Sequence, residues 1–264
     1  MDVFRIIKPI GEEVPLIISS PHSGTCIPPD IRDSLRPELA QFPDDTDWFI
    51  DKLYDFAPEM GITMICANYN RWVIDLNRAA DSKPLYTDGR VITGLVPTTD
   101  FNGNSLYLKG EPDEAEVGRR IAAYYKPYHQ MIARMLEEKL MRFGRVLLFD
   151  AHSIRKHVPG IRPEPFPDLI LGDNDTKTAS PELSDVAMNS LKHPDYSLEH
   201  NSPFKGGYIT RTYGHPDRNI HALQLEMAKT NYMDDKECKY DTERAETIRN
   251  VLQKLFTSLI KELG

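Results

Sequence analysis

Apolar residues along this chain gather in short unbroken runs, separated by longer stretches in which they recur at helical spacing. Leu16-Ile17-Ile18, Val146-Leu147-Leu148-Phe149 and Leu169-Ile170-Leu171 are runs of the first kind. Such runs are the pattern of strands covered on both faces, as in the middle of an α/β sheet. Further strands are expected over 3–10 (with a Gly11-Glu12-Glu13 turn leading to the run at 16–20), 62–67, 72–76, 206–210 (edge-like) and 220–227. Between them the spacing predicts a short polar helix over 31–39 and a helix opened by Asp45 as N-cap, with Trp48, Phe49, Leu53 and Phe56 on one side. A long helix over 114–143 should be kinked at Lys126-Pro127, where proline removes a donor. Ser180 and Pro181 start a helix to Leu191, and 242–263 is an amphipathic terminal helix. Strands alternate with helices, without repeats or a low-complexity linker. The expectation is an α/β fold in a single domain over 1–264, with a central mixed, largely parallel sheet flanked by helices. Residues 79–112 lack periodicity, and a loop of that length suggests a lid or rim.

Composition narrows the partners more than the fold. The formal net charge of −8 leaves no broad basic field, so nucleic acid is not an expected partner. The three cysteines, Cys26, Cys66 and Cys238, show no CxxC spacing, which argues against a disulfide framework or a cysteine zinc site. The chain shows no signal-like start, and no apolar run approaches the ~20 residues of a membrane span. A cytoplasmic protein is therefore expected, with oligomeric state unknown.

The chemistry concentrates at two strand ends. The run at 146–149 leads into Asp150-Ala-His152-Ser153, and the run at 16–18 leads through Ser19-Ser20 into Pro21-His22-Ser23-Gly24. Open α/β sheets place ligand crevices at the carboxyl ends of their strands. Two histidines held there are natural nitrogen donors for a catalytic zinc, which takes three protein ligands and keeps one position open. The carboxylate ligand could be Asp45 or Asp47; Asp47 is preferred, because Asp45 is placed to cap a helix. Asp150, on the same strand face as His152, could orient an imidazole from behind. Glu226 closes the run at 220–227, and a buried carboxylate there is either ion-paired or a general base. Arg71, Arg78, Arg155 and Arg211 lie near strand ends or these candidates, and arginine suits planar capture of carboxylates. Arg78, next to Asn77, is the preferred one. Serine catalysis is disfavoured, since Ser20, Ser23 and Ser153 flank histidines without a GxSxG elbow.

These stretches, together with Asp75-Leu-Asn-Arg78, Thr93-Gly-Leu-Val-Pro97, Pro127-Tyr-His129, Phe204-Lys-Gly-Gly-Tyr-Ile-Thr-Arg211 and Leu223-Gln-Leu-Glu226, span most of the chain in a consistent order. The set resembles the N-formylglutamate amidohydrolases (N-formylglutamate deformylases) of histidine degradation. Their fold is similar to that of zinc carboxypeptidases and aspartoacylases, so the resemblance implies a zinc-carboxypeptidase/phosphorylase-hydrolase-like sheet. It also implies that His22, Asp47 and His152 hold one divalent metal, Zn²⁺, and that Glu226 is the general base. Asn77 and Arg78 would then bind a small anionic N-acyl amino acid, with Arg155, Arg211 or Lys205 for its second carboxylate. The chain departs from the aspartoacylase pattern at Thr25, where a carboxylate ligand would stand; this leaves the third ligand to the 45–47 loop.

Overall fold

The structure, a computed structural model, describes residues 1–81 and 93–264. In chain order its strands are β1 (Phe4–Ile7), β2 (Leu16–Ser20), β3 (Thr63–Ala67), β4 (Val146–Ile154), β5 (Leu169–Gly172), β6 (Leu198–His200) and β7 (Ile220–Ala228). They form one sheet in the order β1-β3-β2-β4-β7-β5-β6. The central strands β3, β2, β4 and β7 are parallel, whereas β1 and β5 run antiparallel to their inner neighbours and β6 follows β5. This is the mixed, largely parallel sheet expected from the unbroken apolar runs. The strands at 3–10 and 16–20 are not partners of each other, because β3 inserts between them.

The side-chain alternation of β4 sorts two cores. Leu147, Phe149 and Ala151 join Leu223 and Leu225 of β7 in a cluster completed by α3 (Ile50–Leu53), α6 (Pro181–Leu191) and α8 (Thr242–Leu263). Val146 and Leu148 face the other way, with Ala222, against α5 (Lys126–Phe143) and α7 (Tyr208–Tyr213). Each fully buried Leu, Ile or Phe in these layers contributes about 1.5–3 kcal/mol of transfer free energy. The chain leaves β2 for β3 through α1 (Pro29–Arg32), α2 (Pro37–Ala40) and α3, and returns from β3 to β4 through α4 (Glu114–Arg120) and α5. β3 and β4 thus flank β2, with the crossover helices α3 and α5 on opposite faces. A switch of this kind opens a crevice at the carboxyl ends of β2 and β4.

Several local expectations are corrected. Residues 72–76 form turns, not a strand: Asn70 Oδ1 accepts from the Trp72 N–H at 2.9 Å, and Asp75 Oδ1 accepts from the Asn77 N–H at 2.9 Å. Short polar side chains here capture the backbone donors that a ladder would use. Residues 208–213 are helical, with Gly207 as N-cap. The helix expected over 31–39 divides into the single turns α1 and α2, each started by a proline. The long helix over 114–143 carries a π-helical segment, Ile121–Tyr125, immediately before Pro127. A π-bulge absorbs the missing donor of a proline without ending the helix. The expected lid at 79–112 lies partly outside the described residues; within them, Leu106 and Tyr107 pack in a small cluster with Trp72.

Candidate metal centre and its surroundings

His22 stands two residues past β2, in a loop that presses against the 68–69 backbone. A Cβ on Gly24 would lie 2.3 Å from the Tyr69 carbonyl oxygen, so only glycine lets the chain pass there. The Asp47 N–H donates to the His22 carbonyl at 3.0 Å, which ties the 45–47 loop to the first histidine. His152 lies within β4, and the Cα register pairs it with Glu226 of β7. One donor atom each from His22, Asp47 and His152 falls within 4.8 Å of the others, and all three residues are buried.

Asp45, by contrast, is not in this cluster and caps no helix. Its carboxylate accepts from Trp72 Nε1 at 3.0 Å and from the Phe101 N–H at 3.1 Å. α3 begins instead after Phe49, which takes a left-handed backbone (φ 64°) without a side-chain cap. The reason for setting Asp45 aside is therefore corrected: it holds the rim loop.

Both imidazoles are braced from behind. His22 Nε2 lies 2.7 Å from Asp75 Oδ1, and His152 Nε2 lies 2.9 Å from Asp150 Oδ2. A carboxylate at Nε2 calls for the hydrogen there and leaves the Nδ1 lone pair inward. His152 Nδ1 is 3.1 Å and His22 Nδ1 3.7 Å from the same oxygen, Asp47 Oδ2. Two imidazole lone pairs aimed at one carboxylate oxygen repel it unless a positive charge lies between. That donor set, two nitrogens and one oxygen with outer carboxylates, fits a divalent cation such as zinc with a position to spare.

The charges are strongly coupled. Burial alone would raise Asp75, but the neighbouring Arg71, His22 and Arg78 hold its carboxyl well below the usual range. Burial, reinforced by Arg71, pushes His22 down, so it stays neutral. Burial opposes the charge on His152, yet Asp150 and Asp47 on its two sides raise it well above the ordinary value. Glu226 is partly exposed, unlike its fully covered neighbours Leu225 and Met227. Burial, with Asp47 and Asp150 adding to it and His152 opposing, lifts its carboxyl to about 8. A carboxyl of that affinity, in cross-strand register with His152 and partly open to solvent, is suited to moving a proton near neutral pH.

The expected substrate residues divide. Arg78 is half-buried beside the site: its guanidinium donates to the Thr93 and Asn77 carbonyls and lies 3.9 Å from Asp75. Asn77 is buried, with both ends of its amide engaged by protein: Oδ1 accepts from the Ile209 N–H at 2.7 Å, and Nδ2 is 3.2 Å from Asp150 Oδ2. Arg155 bridges two rim loops, through Asp44 at 2.9 Å and Asn102 at 2.8 Å. Arg211 donates from Nε to the Gly206 carbonyl at 2.8 Å, and Lys205 pairs with Asp175 at 2.8 Å.

Other members of the site have only weak signals in the sequence. Arg71 is buried and paired with Asp75 four residues on, a spacing visible in the sequence but masked by the strand expected at 72–76. His129 Nε2 is 2.9 Å from the Leu76 carbonyl, and Tyr125 donates to the Arg78 carbonyl at 2.8 Å; they hold the 75–78 segment from α5 and from the π-helical segment before it. Ser19 donates to Asp150 at 3.1 Å from the strand next to it.

Comparison with known proteins gives one consistent finding. Residues 14–233 match the family described as N-formylglutamate amidohydrolase. An N-formylglutamate deformylase of Pseudomonas aeruginosa is 43% identical over 250 residues, 94% of this chain and 93% of that protein. One from Pseudomonas putida is 40% identical over 94% of this chain and 92% of its own length. The crystal structure of an N-formylglutamate amidohydrolase from Ralstonia eutropha superposes with a TM-score of 0.82 at 29% identity, covering 100% of this chain and 97% of that one.

Proposed function

We infer the function from one premise: this chain belongs to the N-formylglutamate amidohydrolase family. It is an enzyme that hydrolyses the formamide of N-formyl-L-glutamate to formate and L-glutamate, the reaction of histidine degradation, and the whole of 1–264 serves as one metal-dependent amidohydrolase domain. The observation that supports this most directly is the convergence of His22, Asp47 and His152 within 4.8 Å, beside a Glu226 lifted to about 8.

His22, Asp47 and His152 would hold a divalent cation, zinc by the chemistry of the set, which would supply Lewis acidity and lower the pKa of a water to ~7. Asp75 and Asp150 keep the two imidazoles in the tautomer and orientation that present Nδ1. Glu226 accepts the proton of the attacking water and returns it to the leaving nitrogen, so that the C–N bond breaks to an amine and not to an amide anion. Glu226, raised by burial, would be drawn back towards the ionised form a base needs when a cation occupies those donors. Arg78 holds one substrate carboxylate and Arg71 adds positive charge behind Asp75; the second carboxylate falls to Arg155 or Arg211.

A formate-release assay on metal-loaded and chelated protein tests the reading. Activity should vanish with chelator and return with zinc; full activity in the chelated protein would remove the mechanism. Comparing formyl with acetyl glutamate tests the acyl group. Glu226→Gln should keep its metal and lose about 10²–10⁴-fold in kcat. Normal turnover in that variant would mean that Glu226 is not the base.

A further inference from the structure

We propose that Asn77 is a positioning residue for the metal ligand His152, locked in place by Gly207, and not a substrate contact. The inference rests on His152 being a ligand, as proposed above. Its basis is the hydrogen-bond inventory of one carboxamide. Asn77 is 3% exposed. Its Oδ1 accepts from the Ile209 N–H at 2.7 Å, and a backbone N–H can only donate, which fixes which end of the amide is which. Nδ2 therefore faces Asp150 Oδ2 at 3.2 Å and His152 Nε2 at 2.9 Å.

A donor facing Nε2 would satisfy an unprotonated nitrogen, but Asp150 Oδ2 lies 2.9 Å from the same Nε2 and calls for a hydrogen on it. With the hydrogen on Nε2, His152 Nε2–H and Asn77 Nδ2–H both donate to Asp150 Oδ2, while Ser19 donates to Oδ1. Asp150 is then held on both oxygens and cannot swing away from the ring. His152 is left with its lone pair on Nδ1, towards Asp47. A side chain whose amide is consumed in this way has little left to offer a ligand in the crevice.

The lock is on the far side. Gly207 has φ −83°, a conformation open to any residue, so its glycine is not needed for the backbone. An added Cβ would instead meet Asn77 Nδ2 at 2.3 Å, Cγ at 2.6 Å and Oδ1 at 2.6 Å; the three nearest atoms all belong to Asn77. The Gly207 N–H donates to Gln224 Oε1 at 2.6 Å, which pins this backbone to β7. Asn77 is thus clamped between a backbone that cannot recede and the Asp150–His152 pair.

Zinc affinity of the apo protein, measured against a competing chelator, tests this in Asn77→Ala, Gly207→Ala, the double variant and His152→Ala. Asn77→Ala and Gly207→Ala should each weaken zinc binding about 10- to 100-fold, the usual effect of removing a group that orients a ligand. At saturating zinc, KM for N-formylglutamate should change little. The double variant should bind zinc no more weakly than Asn77→Ala alone, because the amide atoms that the new methyl group would strike are gone. Unchanged zinc affinity in Asn77→Ala with a raised KM would overturn the proposal and make Asn77 a substrate contact. Additive losses in the double variant would overturn the Gly207 lock. Thermal melts of the apo proteins check folding; should Asn77→Ala fail to fold, Asn77→Ser, which also lacks the amide, replaces it in the same comparison. Wild-type zinc affinity in His152→Ala would sink the metal reading itself, whereas loss there without loss in Asn77→Ala sinks only this inference.

Discussion

His129 is enclosed by the rings of Tyr125, Tyr208 and Tyr213 and holds the Leu76 carbonyl from α5. Burial pushes its imidazole down to about 4 from an ordinary 6.5, so it stays neutral in the folded protein far below the pH at which the unfolded chain takes up a proton. Between those two values the unfolded state binds more protons, and stability must fall as the pH falls. The contribution is intact above pH 6.5 and is lost by pH 4, a loss that approaches about 3 kcal/mol. Melts of wild type and His129→Phe from pH 7 to 4.5 should show a steeper decline in wild type; equal slopes would mean that His129 titrates normally. Single residues of this kind are poorly legible in the sequence. His22 and His152 stand out because an apolar run delivers each to a strand end. Sequence favours Asp47 over Asp45 on the strength of a capping role that the structure gives to neither. Asn77 is legible as part of a motif, but only the Ile209 N–H and Gly207, more than 120 positions away in the sequence, show which way its amide faces.

At the scale of elements, unbroken apolar runs identify β2, β4 and β5, the Ser180-Pro181 start identifies α6, and the amphipathic pattern identifies α8, whose side-chain cap Asp241 the structure adds. Failures fall where side chains compete with the backbone for hydrogen bonds. Residues 72–76 look like a strand by hydrophobicity, yet Asn70 and Asp75 take the Trp72 and Asn77 donors. Residues 206–210 look extended, yet Asn77 Oδ1 accepts the Ile209 N–H and so starts a helical turn. Both exceptions carry site residues, as expected where local preference yields to function. The two sheet faces also separate stability from chemistry. Leu252 of α8 is fully buried on the face away from Asp150 and His152. Leu252→Ala should therefore cost about 2–5 kcal/mol in denaturant unfolding while leaving zinc affinity unchanged. A change in zinc affinity of tenfold or more would show that the two faces are coupled.

Across the whole molecule, the three proposed metal donors and the proposed base come from the loop after β2, the loop before α3, β4 and β7, segments about two hundred residues apart at the extremes. The sheet assembles them because β2 and β4 adjoin at its switch point and β7 adds its carboxylate in register with His152. Sequence pattern can announce the strand ends but not their order in the sheet, which depends on how the crossovers through α3 and α5 leave on opposite faces. One consequence follows for the folded protein as a whole. In the folded state Asp47 and the two imidazoles are brought together at a cost in desolvation, which a cation would offset, and the unfolded chain has no such site to bind it. Metal should therefore stabilise the whole fold by linkage, by about 2.7 kcal/mol when free zinc is a hundred times its dissociation constant. For a chain of this size that corresponds to a rise in Tm of about 5–10 °C. Calorimetry of chelated and zinc-loaded protein should show this rise, and His152→Ala should abolish it. A Tm that does not move on loading the wild type would mean that the three donors do not hold the ion.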